Sequence, residues 1–279
     1  MKLSDTTTAF AITCLWPVAV FAQLAQVPDA EPQRVFAGEA RPVAVVWRND
    51  SSQLYEGDIR TQRLQTTSVT AVPLGETLWK WLQVLPEQTV QESAPLSFPA
   101  VRAETTFLVR WLGDTNQLLG ETEVLVYPTN LLANLVPLLD RKALGVLDPN
   151  DELKPLLREN GVNFLDLSHQ ALEDFSGRLA ILGPFRSHAQ LPEDVAQRTK
   201  TMARNGVAVV WLQPPPSPRD PLRPSYYSVS VGTNDIVVVQ SSVVLGLTGN
   251  PQAQWRLVQL CQQALHPEPA ALPATNRQP

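Results

Sequence analysis

Two rhythms of apolar and polar positions divide this chain. Between residues 34 and 128 apolar side chains recur with a period near two, and no long helical pattern interrupts them. The runs 42–49, 58–64, 78–85, 105–112 and 119–126 are rich in Val, Leu, Thr and Trp and read as strands. Turn-forming clusters such as Asn49-Asp50-Ser51-Ser52 and Gly113-Asp114-Thr115-Asn116 separate them. Evenly spaced strands over this length predict an aligned antiparallel β-sandwich. From residue 143 to 240 the rhythm changes, and short apolar runs alternate with amphipathic helical patterns. Runs 143–147, 162–166, 178–182, 207–212 and 235–239 predict five buried strands, with a helix over 151–160 closed by Gly161. Strands spaced by helices imply right-handed crossovers and a parallel sheet covered on both faces. The natural winding is flavodoxin-like, with strand order 2-1-3-4-5. The expected fold class is therefore multidomain, β plus α/β.

The remaining segments follow from this division. Residues 23–33 read as a linker, and 129–142, helical over 131–140, as the connector between a sandwich at 34–128 and an α/β domain at 143–266. Residues 267–279 hold four prolines and few apolar groups, the composition of a disordered tail. At the N-terminus, the apolar run 9–22 follows Lys2 and the free amino group and has signal-peptide length. Val20-Phe21-Ala22 offers small residues at both positions a signal peptidase reads, leaving Gln23 as the new N-terminus. The run is shorter than the ~20 residues that span a bilayer. Asp5 and the single lysine weaken the basic region, so an uncleaved anchor or a chance apolar start is the competing reading. Ala11-Ile12-Thr13-Cys14 lacks the small residue that precedes a lipidated cysteine. The expectation is export to the periplasm or beyond, with no stable membrane span once the leader is removed.

Composition narrows the functional classes. Hydrophobic content of 44% against 18% charged describes a globular chain with a sizeable core. A net charge of −5 without a run of Lys and Arg argues against nucleic acid and anionic membranes as partners. Once the leader carries off Cys14, Cys261 stands alone and no internal disulfide can form. Leu257, Val258, Leu260 and Leu265 surround it at helical spacing, so it reads as a core thiol.

The sandwich resembles the immunoglobulin-like modules that stand beside catalytic domains in bacterial glycoside hydrolases, on strand rhythm alone. It holds Trp47, Trp79, Trp81 and Trp111. Trp79 and Trp81 are two apart and are expected on one face of their strand, either as a sugar-stacking platform or as inter-sheet core. Core packing is the commoner fate of tryptophan in such folds.

The five strands with intervening helices resemble a class I glutamine amidotransferase-like domain, including the non-catalytic versions that serve beta-galactosidases as trimerisation domains. In active members a cysteine stands on a sharp turn after the third strand, with histidine and glutamate downstream. Here the turn reads Leu182-Gly183-Pro184-Phe185-Arg186, without Cys or Ser, and Pro184 lacks an N–H that an oxyanion hole would use. His169, His188 and His266 are the histidines of the chain, and none follows the fourth or fifth strand as a triad requires. The resemblance therefore implies the fold without the chemistry.

Other chemistries have weaker signals. Asp148, Asn150, Asp151 and Glu152 form an acidic cluster of the kind that binds Mg²⁺ or Ca²⁺, but Asn150 as N-cap with acids in the first turn accounts for it. The glycine pattern of a phosphate loop is absent, and no zinc ligand set has the right spacing. No cofactor and no metal are expected. The stretch 213–224, with Pro214-Pro215-Pro216-Ser217-Pro218 and then Arg219, Asp220 and Arg223, reads as a polyproline II arm or a stiff surface loop, with Tyr226 and Tyr227 beyond it. In doubly wound sheets ligands sit where the winding reverses, here between strands one and three. The expected lining is Asp148, Asn150, Gly183, Phe185, Arg186 and His188, with Gln213 nearby. The reading is an exported non-catalytic protein that binds or assembles, with a protein partner or a carbohydrate as the ligand classes. Its rivals are a hydrolase with an unrecognised site at the strand carboxyl ends and a sugar-binding module using Trp79 and Trp81. Nothing in the pattern specifies an oligomeric state.

Overall fold

The computed structural model describes residues 24–216, 226–231 and 234–266. The expected leader and its expected cleavage site, most of the proline stretch and residues 267–279 lie outside the described residues. The first half contains β1 (Leu24–Val27), β2 (Gln33–Phe36), β3 (Gly38–Asn49), β4 (Tyr55–Thr66), β5 (Ala71–Val84), β6 (Thr89–Phe98), β7 (Thr105–Leu112) and β8 (Leu118–Tyr127). They form two sheets, β1-β3-β6 and β2-β8-β7-β4-β5. Alternate residues of both sheets enclose one core: Val43, Val45 and Trp47 from β3 meet Ile59, Val109, Trp111, Val124 and Val126 from the other sheet. Period-two burial is what turns these runs into strands with one dry face.

Three strands of this half, β1, β2 and β6, lie where the sequence pattern predicts none. β1 occupies the expected linker: Leu24 is fully buried, and the Gln26 amide donates to Thr122 Oγ1 at 2.7 Å. β6 has inward Ala94, Leu96 and Phe98 spaced by polar residues and Pro95, too sparse an apolar signal to recognise. Pro95 is tolerated because β6 is an edge strand.

After β8 the chain passes through a 3₁₀ turn, Leu131–Asn134, and α1 (Leu135–Leu138). Phe36, Tyr127 and Leu131 form a small apolar cluster at this passage. The second half contains β9 (Leu144–Leu147), α2 (Lys154–Glu159), β10 (Phe164–Asp166), β11 (Leu179–Leu182), α3 (Val195–Arg204), β12 (Ala208–Gln213), β13 (Tyr226–Val231), β14 (Asn234–Gln240) and α4 (Pro251–Leu265). The sheet order is β10-β9-β11-β12-β14-β13, parallel except for β13. The five parallel strands thus stand in the order 2-1-3-4-5. Tyr226 and Tyr227 belong to the antiparallel edge strand β13 rather than to an arm.

Both faces of this sheet are covered, which explains its continuous apolar runs. Ile181, Val210 and Val237 face one layer with Leu157 of α2 and Leu257 of α4, while Leu182, Val209 and Val238 face another with Met202 of α3. Cys261 is fully buried in the first layer, and burial pushes its thiol pKa well above the ordinary value. Between β10 and β11 the connection is made by short 3₁₀ turns, not by a full helix. Among the described residues no helix is long and apolar enough to cross a membrane.

Candidate functional site

The carboxyl ends of β9 and β11 lie side by side, and their chains leave toward opposite faces, α2 to one layer and α3 to the other. This is the geometry of a switch point. All the residues expected there do come to this end of the sheet, but the polar groups of Asp148, Asn150 and Arg186 are engaged by neighbouring residues.

Asp148 is almost fully buried, and its Oδ2 accepts from the backbone N–H groups of Leu153 at 2.7 Å and Lys154 at 3.0 Å. Its Oδ1 accepts from the Asn150 N–H at 3.3 Å. Asp148 therefore serves the start of α2, the role the sequence reading gave to Asn150. The helix begins at Lys154 rather than 151 because the cap reaches over a loop of intervening residues. Asn150 instead bridges two loops: its amide donates to Pro184 O at 2.8 Å, and its oxygen accepts from Gln190 Nε2 at 2.7 Å. Gln190 Oε1 in turn accepts from the Arg186 N–H at 2.7 Å. Arg186 Nε donates to Glu152 Oε1 at 2.7 Å, so the guanidinium already has a carboxylate partner. His188 is exposed on a 3₁₀ turn, and Gln213 is buried at the end of β12 opposite Gln240.

The turn after β11 is closed from within. Gly183 has φ of +103°, and a Cβ there would come within 2.6 Å of Leu212 O, so only glycine fits. Its N–H donates to Leu147 O at 2.7 Å, and the Phe185 N–H donates to Leu212 O at 3.2 Å. Pro184 has no N–H. No donor at this elbow is left to face an oxyanion. The Phe185 ring is fully buried against the layer of Leu182 and Trp211, in the space beneath the turn.

The acidic cluster also disperses. Asp148 turns to the helix, Glu152 to Arg186, and Asp151 to Lys154 at 3.4 Å. Among the described residues no three His, Cys, Asp or Glu side chains converge on one point.

A hollow of about 730 Å³ opens instead beside β10, a site the sequence reading missed. Lys154, Arg158, Asp166, Ser168 and His169 line it. Lys154 Nζ lies 2.8 Å from Asp166 Oδ2 and 3.2 Å from Ser168 Oγ, an arrangement with the outline of a serine–lysine dyad. Burial lowers the affinity of Lys154 for its proton, but Asp166 and Asp151 outweigh it and hold the ammonium above its ordinary pKa. Burial likewise opposes the Asp166 charge, yet Lys154 and the Ser168 N–H keep its carboxyl well below the usual range. Asp166 and Asp151 thus hold Lys154 in an ion-pair clasp, with Ser168 at its edge. The signal for it was present: Lys154 sits beside Leu153, Leu156 and Leu157 on a helix face that must be buried, and demands a carboxylate.

In the sandwich the tryptophan pair is separated. β5 carries a bulge against β4, where Ile59 pairs with Lys80 and Arg60 with Leu78, leaving Trp79 as the extra residue. Trp79 turns inward, 5.2 Å from the Trp111 ring, with Lys80 Nζ over it at 5.5 Å. Trp81 turns outward and is 55% exposed, opposite Asp58. The expected shared face is corrected: the inserted residue breaks the alternation on which it rested. Trp47 and Trp111 meet edge-to-face at 5.7 Å in the core.

No family model matches the chain, and no curated protein matches it in sequence. Solved structures with partial similarity include Pseudomonas fluorescens alkylpurine DNA glycosylase AlkC bound to DNA containing an abasic site analog, 10% identical with a TM-score of 0.30, covering 38% of this chain and 30% of that one. A beta-glucosidase from Listeria innocua in complex with glucose is 15% identical with a TM-score of 0.28, covering 38% and 16%. The sporulation control protein Spo0M from Bacillus subtilis is 9% identical with a TM-score of 0.27, covering 43% and 55%. The chain thus spans less than a third of the first two proteins, and these scores assign it neither a family nor an activity.

Proposed function

We propose that this chain is an exported, non-catalytic binding or assembly protein, in which an immunoglobulin-like sandwich carries an amidotransferase-like α/β domain with a backfilled active-site turn. One observation carries the reading: at the elbow after β11, Phe185 is buried beneath the turn and the Gly183 and Phe185 N–H groups are both donated to strand carbonyls. A site for acyl transfer needs a nucleophile, a base and free donors toward the oxyanion, and none of the three stands here. The test is turnover by the purified protein of esterase, amidase and glycosidase substrates, expected at background. Turnover that disappears in His188→Ala would overturn the reading, and His188 is exposed, so that variant separates chemistry from folding. Export is part of the proposal, and mass spectrometry of the mature protein is expected to find Gln23 at its N-terminus. A sole intact Met1 form would count against it.

A second reading rests on Trp81, whose ring is exposed beside Asp58 on the outer face of the sandwich. An indole face flanked by a carboxylate is a minimal sugar platform. Soluble oligosaccharide titrated against the protein would quench Trp81 fluorescence under this reading, and Trp81→Ala would abolish the change. An unchanged spectrum removes it.

A further inference from the structure

Sheet edges recruit foreign strands through their unpaired N–H and C=O groups, so natural edges are shortened, bulged or furnished with charge and proline. Most edges here follow that rule. β10 has three residues and ends in Asp166; β1 and β2 have four each. β6 carries Glu92 and Pro95, and β5 carries Pro73, Glu76, Lys80 and two bulges. β13 is the exception among the described strands. Its six residues, Tyr226–Val231, include no charge, proline or glycine, and its register with β14 is unbroken. Among the described residues it pairs on one side only, and Tyr226 and Val229 are 37% and 38% exposed.

The strand is also a chemical palindrome. Tyr227 and Val231 pack against the apolar layer shared with α3, and Val229 lies between them on the same side of the pleat. Ser228 and Ser230 point to the other side, with Tyr226, whose hydroxyl bonds Gln263 of α4. Set antiparallel to a copy of itself about Val229, the strand places Val229 on Val229, Tyr227 on Val231 and Ser228 on Ser230. Apolar groups then meet apolar groups on one face and hydroxyls meet hydroxyls on the other, with no charge opposed to its like. The Val229 register leaves out Tyr226, already held by Gln263, whereas a register centred on Ser228 leaves out Val231 and sets Tyr226 on Ser230; a one-residue slip puts serine on the apolar face.

We propose that β13 is a self-association edge, pairing antiparallel with β13 of a second copy about a two-fold axis at Val229 and joining two six-stranded sheets into one. The occupant is a second copy because an isologous contact requires a self-complementary patch, and this strand is one. The inference deepens the assembly reading and rests on it. Its test reads mass and not turnover, so the two fail separately.

Sedimentation equilibrium of the mature chain over a wide concentration range is expected to show a monomer–dimer equilibrium. Val229→Lys brings two ammonium groups face to face across the axis and should weaken the dimer by about tenfold or more, while the thermal melt at concentrations where the parent is monomeric stays unchanged. Val229→Cys should form a disulfide-linked dimer under mild oxidation, since directly opposed residues in an antiparallel pair have Cα atoms about 4.5–5.5 Å apart. Cys261 is fully buried and does not compete. Val72→Cys, on the exposed but blunted β5, should not cross-link. A monomer at every concentration overturns the proposal and leaves the edge to a strand of another protein. A dimer that survives Val229→Lys and gives no cross-link with Val229→Cys overturns it equally.

Discussion

Asp148 gives the sharpest division between a reactive carboxylate and a structural one. Its Oδ2 takes two buried backbone donors at 2.7 and 3.0 Å, and its Oδ1 takes a third at 3.3 Å. Asp148→Ala strands the Leu153 and Lys154 N–H groups inside the protein. Each orphaned buried donor costs about 1–3 kcal/mol, so the variant should lose about 2–6 kcal/mol. Against a typical domain stability of roughly 5–15 kcal/mol, that is a large fraction. Asp148→Asn keeps one acceptor oxygen of the same shape and should lose about 1–2 kcal/mol. The assay is urea unfolding followed by circular dichroism at the helix band. Among the described residues all α-helices lie beyond residue 134, so the signal reports the α/β unit and not the sandwich. The expected order is parent, Asn, Ala, with the slope of the transition unchanged. If both variants unfold within about 0.5 kcal/mol of the parent, the capping role is refuted and the carboxylate is free for other work.

The remaining predictions probe neighbouring features. Phe185→Ala should cost about 3–5 kcal/mol in the same urea assay, because a fully buried ring leaves a cavity; a loss below about 1 kcal/mol would mean the ring does not fill the space beneath the turn. Trp79→Ala should destabilise the sandwich by a few kcal/mol and Trp81→Ala by about 0.5 kcal/mol or less, as thermal melts would show; equal losses would contradict the bulge. Asp166 is held below its unfolded pKa, so its contribution is complete above about pH 4 and is lost as the pH falls further, while Lys154, held high, keeps its charge until alkaline pH. The stability gap between the parent and Lys154→Met should therefore narrow on going from about pH 7 to about pH 3. A gap independent of pH would refute the clasp.

Local pattern alone carried a good part of this protein. Period-two runs such as Val43, Val45 and Trp47 announce a strand with one dry face, and unbroken runs such as 179–182 announce strands covered on both sides. Those inferences need only each residue's preference for burial and the geometry of its own backbone. The absent nucleophile between Leu182 and Arg186 was equally plain, since it is a matter of residue identity. What folding decided is how polar groups found partners across long separations. Asn150 meets Pro184, Gln190 meets Asn150, and Lys154 meets Asp166, none of them paired by any local period. One inserted residue in β5 sent Trp79 and Trp81 to opposite faces, because a bulge is fixed by the register of two strands together and not by either one. β1 and β6 escaped notice for the same reason: their few apolar side chains acquire a strand's meaning only when β3 supplies the hydrogen bonds on both sides. Burial preference is a property of a residue, whereas satisfaction of a buried donor or acceptor belongs to a pair, and only the tertiary structure brings the pair together.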